Sequence, residues 1–183
     1  MINLQDGTRE SKFCAACLND RLALRASEEV ESRPRKDRAM ASVHDVAKFS
    51  LTLSEPEEGD FITNLKAQKL CYYAQGFALA VLGRPLFDEE ILRWDHGPVV
   101  RSLYDEFRKH SGNGIPVPED FDADAVFTSE EQDLLREVWD VYGQFSAWKL
   151  HNMTHEEPPW KNTRRNEVIT HEAMKAYFAT LTS

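Results

Sequence analysis

Apolar residues recur every three or four positions along most of the chain after residue 40, and this spacing predicts α-helices. Ser42 is a favourable N-cap for a first helix, which should end at the acidic, proline-containing run 55–60. A long central helix is then predicted from a Thr63 cap to Leu82, where Gly83 can end it. Its apolar face is formed by Leu70, Tyr73, Ala74, Phe77, Ala78 and Val81.

The helical spacing is lost between the two glycines Gly83 and Gly97. Residues 86–94 lie between a Gly-Arg-Pro and a Gly-Pro sequence, which favours an extended segment in a small hairpin or meander. Pro98 suits the first position of the next helix, which should run to His110. The acidic loop that follows contains prolines, and a short strand is predicted within it at residues 115–117.

The C-terminal part of the chain is again predicted to be helical. Thr128 and Glu131 have the spacing of a capping box, which opens a second long helix. Ser146 begins a short helix and Thr170 opens the last one. The predicted fold class is therefore mainly α: a single compact helical domain over residues 40–183, with a small β-hairpin or meander.

Residues 1–39 have little apolar periodicity and end in a polar run that contains Pro34. They are predicted to be a flexible, poorly ordered N-terminal extension, and whether translation begins at Met1 or at Met40 stays open. Within this segment, Cys14 and Cys17 have the spacing of half a zinc site, but no second pair follows them. We therefore expect free thiols and no bound metal.

Charge narrows the choice of partners. The net charge is -9, and residues 40–183 contain 24 Asp or Glu against 14 Lys or Arg. Such an acidic domain repels phosphate backbones at long range, so we do not expect it to bind nucleic acid. We expect a basic protein as its partner. The basic run 33–38 is expected to be a solvated linker, although a transcription module that represses its own operon through this run stays open.

The sequence also predicts the compartment. No run of about eighteen apolar residues is present, so no membrane span is expected. The N-terminus does not resemble a secretory signal, and three cysteines are an odd number with no disulfide spacing. A cytoplasmic location follows.

Candidate catalytic residues are few. His151 and His155 lie four residues apart, but residue 152 is Asn, not the Glu of zinc hydrolases. A structural capping role is favoured, with a metal-dependent hydrolase that uses His151, His155 and Glu156 as the alternative. The sequence contains neither a phosphate-binding glycine loop nor a Gly-x-Ser-x-Gly elbow. We therefore predict no catalytic residue and no cofactor.

The four tryptophans are predicted to lie mainly in the core. Trp94 and Trp160 stand at the ends of predicted elements, where an interface role is the alternative.

Three strings in order along the chain resemble the signatures of the Panacea domain of SocA-like antitoxins. They are residues 64–76 (NLKAQKLCYYAQG), followed by Pro85-Leu86-Phe87, then residues 94–100 (WDHGPVV), and finally Thr154-His155-Glu156 leading to Pro159-Trp160. The resemblance covers about residues 43–181.

This resemblance implies a non-enzymatic antitoxin that neutralises a cognate toxin by direct protein contact. For SocA-like members it further implies an adaptor that presents the toxin to the ClpXP protease, with simple sequestration as the alternative. An adaptor must hold two partners at once, and the N-terminal extension is one candidate tether.

For the toxin-binding face, Tyr72 and Gln75 fall outside the apolar face of the central helix. A glycine within a helix costs about 1 kcal/mol relative to alanine, so Gly76 indicates close approach of either a partner or a neighbouring helix. The predicted toxin-binding residues are Tyr72, Gln75, Gly76, Trp94, His96 and Arg101.

Overall fold

The computed structural model of the chain describes residues 39–182. Most of this part is helical, as predicted. The helices are α1 (Val43–Thr52), α2 (Asn64–Phe77), α3 (Arg101–Phe107), α4 (Ala123–Val126), α5 (Ser129–Val138), α6 (Ala147–Glu156), α7 (Pro158–Lys161) and α8 (His171–Leu181). The strands are β1 (Ile91–Trp94) and β2 (Gly97–Val100), and a 3-10 turn is formed by Pro56–Glu58. The predicted N-terminal extension, with Cys14, Cys17 and the basic run 33–38, lies outside the described residues.

Five of the predicted helix starts are confirmed by their capping hydrogen bonds. The side chain of Ser42 accepts a hydrogen bond from the backbone N–H of Asp45, and the Asp45 carboxylate accepts one from the backbone N–H of Ser42. Thr128 and Glu131 form the predicted reciprocal pair at the start of α5. Helices α2, α6 and α8 are capped by the side chains of Thr63, Ser146 and Thr170, each of which accepts a hydrogen bond from the backbone N–H three residues further on. These bonds use backbone donors that would otherwise lack partners, so local sequence alone determines where these helices begin.

Helix α2 lies at the centre of the domain and is buried around nearly its whole circumference. Helices α1, α5, α6 and α8 and strand β2 pack around it. The sequence pattern predicted an apolar face for this helix, with Tyr72 and Gln75 outside it and facing a partner. In the structure the polar side chains of α2 are also buried, so each needs a hydrogen-bond partner inside the protein.

The predicted hairpin is confirmed and is antiparallel, with Trp94 opposite Gly97 at its turn. Gly97 has φ of +100°, a conformation that favours glycine. The predicted helical role of Pro98 is wrong, because Pro98 lies in β2 and α3 begins only at Arg101. Pro98 is tolerated in the strand because it pairs with Arg93, whose own N–H is donated to the carbonyl of Glu167 on the other side of β1.

Two other details differ from the predictions. Residues 115–117 form no strand, and Ile115 instead donates one backbone bond to the carbonyl of Ile62. Helices α2 and α5 each end in a π-helical turn, at Ala78–Leu82 and Trp139–Gly143. None of the helices within residues 39–182 combines the length and the apolar character needed to cross a membrane.

Candidate functional site

The buried polar side chains of α2 hold the surrounding loops in place. The Gln68 side chain accepts a hydrogen bond of 2.8 Å from the backbone N–H of Val100, where β2 ends. Two turns further along, the Gln75 side chain accepts a hydrogen bond from the N–H of Leu86 at 2.9 Å and donates one to the carbonyl of Phe87 at 2.8 Å. Because each amide replaces a missing backbone partner, the first signature string fixes both the hairpin and the loop before it.

Lys69 joins the first signature string to the second. Its ammonium group is fully buried and donates to the carbonyl of Pro98 at 3.0 Å. A Cβ at Gly97 would lie 2.6 Å from Lys69 Nζ and 3.0 Å from Thr154 Oγ1, so only glycine leaves room for the amine. Burial lowers the pKa of Lys69 to about 7.

Glu157 joins the third signature string to the first. Its two carboxylate oxygens accept hydrogen bonds of 2.8 Å from the hydroxyl groups of Tyr72 and Tyr73. Burial raises the pKa of the Glu157 carboxyl to about 7, although these two hydrogen bonds lower it in part. Burial and the adjacent carboxylate raise the pKa of both tyrosines well above the ordinary value, so both hydroxyls stay protonated and donate.

Above this buried network, four rings of α6 and α7 form a continuous stack, which we call the aromatic ladder: Trp148, His151, His155 and Trp160. Successive ring centroids are 4.4, 4.0 and 3.9 Å apart. The guanidinium of Arg93 covers the far end, 4.0 Å from the Trp160 ring. The near end is open, since Trp148 is 61% exposed.

The aromatic ladder is fastened to the hairpin turn. His155 Nε2 contacts the carbonyl oxygen of Asp95 at 2.8 Å, and Trp160 Nε1 donates to the carbonyl of Trp94 at 3.0 Å. Arg165 adds an ion pair with the Asp95 carboxylate at 2.5 Å. The second and third signature strings therefore form one continuous surface.

The structure separates the six predicted toxin-binding residues into two groups. Tyr72 and Gln75 are 1% and 0% exposed and are bonded internally. Gly76 is also buried, and a Cβ there would overlap the Phe178 ring of α8, which favours the neighbouring-helix alternative for this glycine.

Trp94, His96 and Arg101 form the second group and lie together at the surface. His96 and Arg101 are exposed and Trp94 is half-buried. The Arg101 guanidinium is 5.6 Å from the Trp94 ring, and the His96 ring is 5.9 Å from His151 of the aromatic ladder. In this conformation only these three of the six residues are available for contact with a partner.

The geometry does not favour the hydrolase alternative. Both ring nitrogens of His155 contact backbone carbonyl oxygens, those of His151 at 2.7 Å and of Asp95 at 2.8 Å. Neither nitrogen has a lone pair directed at a metal, and Glu156 is paired with Lys161 at the surface. Within residues 39–182, no group of three or more His, Cys, Asp or Glu is placed to hold a metal ion.

Sequence reasoning missed Lys69, Glu157 and Trp148. Lysine and glutamate are rarely buried, so nothing in their local sequence separates these two from solvated residues. Trp148 was predicted to be a core residue, which is wrong because its ring projects from the first turn of α6. A signal was present for all three, since they lie within or close to the signature strings.

Comparison with known proteins identifies a family for this chain. No curated protein and no solved structure matches the chain. Residues 67–161 match the family described as the antitoxin SocA-like Panacea domain. The matched region contains the buried network, the hairpin and the whole aromatic ladder. Since the match spans more than half of the 183 residues, the chain belongs to the family of SocA-like antitoxins with a Panacea domain.

Proposed function

We propose that this protein is an antitoxin that neutralises its cognate toxin by direct, non-catalytic binding, through the surface formed by the open end of the aromatic ladder and the hairpin turn. The residues proposed to contact the toxin are Trp148, His151, Trp94, His96 and Arg101. The observation that carries this proposal is the exposure of Trp148 at the end of an otherwise packed stack of rings.

Two properties of this surface support binding. Tryptophan, tyrosine and arginine are enriched among the residues that dominate binding energy at protein interfaces. The surface is also rigid, since the buried bonds of Lys69 and Glu157 and the contacts of Asp95 hold its backbone in place. A preorganised surface loses little conformational entropy on association, which favours affinity.

We further propose that the antitoxin acts in the cytoplasm as an adaptor that delivers the bound toxin to ClpXP. The family membership supports an antitoxin role and a cognate toxin partner. Delivery requires a second contact for the protease, and the segment before residue 40 is the proposed tether. Sequestration without degradation is the alternative.

Binding is tested by titrating the product of the neighbouring gene into the purified full-length protein by calorimetry. Trp148→Ala should weaken binding by about thirtyfold, the effect of losing a residue worth about 2 kcal/mol at an interface. Phe61→Ala is the matched control, because Phe61 is also an exposed aromatic residue, at 47%, but lies outside this surface. Equal effects of the two substitutions would remove the surface from the proposal, and absence of any binding would end the proposed function.

Delivery is tested by incubating the purified toxin with ClpXP and ATP, with and without the antitoxin. Faster loss of the toxin with wild-type antitoxin, but not with Trp148→Ala, is expected of an adaptor. An unchanged toxin half-life together with lost toxicity in cells would establish sequestration instead.

A further inference from the structure

Three nitrogen-bearing side chains, those of His96, His155 and Lys69, converge on His151 at the open end of the aromatic ladder. His155 lies one turn along the same helix, His96 faces His151 from the hairpin turn, and the buried amine of Lys69 approaches from α2 beneath them. Three of the six histidines of the chain are therefore gathered at one place. Burial, together with repulsion from His155, Lys69 and His96, lowers the pKa of His151, although a hydrogen bond to Asn152 partly opposes this.

The carboxylates near this cluster each have a closer partner than His96 or His151, and Glu156 also interacts electrostatically with His155. Asp95 is paired with Arg165 and Arg93, and Glu156 with Lys161. Glu157 is buried beneath and accepts from two tyrosines. Within the described part of the chain, 39–182, no ion pair joins a carboxylate to His96 or His151. Protonation of imidazoles this close together is unfavourable in the free protein and becomes favourable when a partner supplies an anion.

The wider surface has the same sign of charge. Segments 93–101 and 147–165 pack against each other through the contacts of Asp95 and Trp160. Together they contain six Lys or Arg and three Asp or Glu, whereas residues 40–183 as a whole are strongly acidic. The six basic residues are Arg93, Arg101, Lys149, Lys161, Arg164 and Arg165.

We propose that His96 and His151, beside the exposed ring of Trp148, form a subsite for a carboxylate on an acidic segment of the toxin, and that binding at this subsite strengthens as the pH falls. This inference rests on the proposed function, because it specifies the chemistry that the same surface recognises. The apolar face of Trp148 accepts a neighbouring side chain of the segment, and the two imidazoles take up the charge.

A protein carboxylate is favoured over nucleic acid by the charge of the rest of the domain. A phosphate backbone extends over tens of ångströms and would be repelled by the surplus of acidic residues in the rest of the domain. A single acidic segment needs only the local cationic surface. Charges further away than about 10 Å are largely screened at physiological salt, so the subsite remains compatible with a toxin that is basic overall.

The direction of the pH dependence follows from proton linkage. In the free protein, burial above all and the nearby His155, Lys69 and His96 lower the pKa of His151, which favours its neutral form. A bound carboxylate stabilises the imidazolium and raises the pKa, so binding takes up protons. Affinity is therefore highest at low pH and is lost as the pH rises through the pKa of the complex.

The test is calorimetric titration of the full-length protein with the purified cognate toxin at pH 8 and pH 6. Wild-type protein should bind about fivefold more tightly at pH 6, as expected for one or two partly exposed charge pairs. The double substitution of His96→Gln and His151→Gln should abolish that increase. His110→Gln, a change of the same kind at a histidine outside the cluster, should preserve it. Ionisable groups of the toxin contribute equally to the pH dependence in all three experiments. A difference in pH dependence between the variants therefore comes from the substituted histidines.

The outcomes separate the two proposals. If the toxin binds equally at both pH values, or if the double variant keeps the increase, this inference is overturned while the proposed function stands. If the toxin does not bind at all, the proposed function fails, and NMR titration of the histidine ring protons with hexaglutamate decides the inference. Shifts at His96 and His151 with hexaglutamate, absent with hexalysine, would support the subsite. Stronger binding of a ten-nucleotide single-stranded DNA would overturn it in favour of nucleic acid.

Discussion

The buried surroundings of α2 and the exposed end of the aromatic ladder differ in how far their side chains are enclosed by the protein. Around α2, Lys69, Tyr72, Tyr73 and Gln75 are enclosed by the protein and bonded to fixed partners. Outside, Trp148 is exposed to solvent at the open end of the aromatic ladder. The difference indicates that the inner residues determine the fold and hold the surface in position, whereas the outer residues are available to recognise a partner. Substitutions should therefore divide into those that unfold the domain and those that only weaken binding.

The largest loss of stability is expected when Glu157 is replaced. Glu157→Ala removes the acceptor of two buried tyrosine hydroxyls and leaves both without partners, so the free energy of unfolding should fall by about 4 kcal/mol. Glu156→Ala is the matched control, because that neighbouring carboxylate is exposed and should matter by less than about 0.5 kcal/mol. Urea denaturation measures both. Similar losses would mean that the buried network does not stabilise the fold.

The next effect concerns the pH dependence of stability through Lys69. The pKa of its amine is about 7 in the folded protein and 10.5 without burial, so the unfolded chain binds more protons between these values. Stability contributed by this group is thus present at high pH and lost as the pH falls through 7. Between pH 7 and pH 9.5 it should add about 3 kcal/mol to the free energy of unfolding.

Lys69→Met tests this dependence, since methionine fills a similar volume without the charge. Denaturation of both proteins at several pH values should give curves that converge with increasing pH across this range. Parallel curves would contradict the burial of a titrating amine.

A smaller loss is expected for Gly76→Ala. The new methyl group would overlap the Phe178 ring of α8, which costs about 2 kcal/mol after the gain in helix propensity is included. Gly112→Ala is the control, because nothing lies within 4 Å of a Cβ at that position. Thermal unfolding compares the two. If Gly76→Ala keeps full stability but loses toxin binding, Gly76 would belong to the recognition surface after all.

The smallest effect on stability is expected at the outer face. Trp148→Ala should change the free energy of unfolding by less than about 0.5 kcal/mol, because the ring is mostly exposed, even though it should weaken toxin binding strongly. Circular dichroism with urea denaturation measures the first quantity. A loss comparable to that of Gly76→Ala would show that the two faces are not independent.

Much of the fold was predictable from local sequence. Caps at Ser42, Thr63, Thr128, Ser146 and Thr170 depend on hydrogen bonds within four residues, so sequence spacing is sufficient to locate them. Pro98 was misassigned because its ring is compatible with both a helix start and a strand position whose N–H is not needed. The strand position is distinguished from the helix start only by the backbone hydrogen bond from the Arg93 N–H to the Glu167 carbonyl, on the side of β1 away from Pro98.

The proposed toxin-binding surface was predictable only in part. Trp94, His96 and Arg101 were predicted to contact the toxin and are accessible at the surface, but Tyr72 and Gln75 were predicted to face a partner and are enclosed. On a helix at the edge of the domain, polar side chains outside the apolar face would be exposed to solvent. Helix α2 is covered from all sides, so Tyr72 and Gln75 instead bond to polar partners inside the protein.

The sequence by itself determined five capped helix starts, the hairpin, the acidic charge and the family, because these depend on neighbouring residues or on strings read in order. Only the tertiary structure decided which polar residues are enclosed and which are open, and that His96, His151 and Lys69 meet. Their meeting depends on how α2, the hairpin and α6 pack together. Contacts between residues that are tens of positions apart leave no local periodicity in the chain.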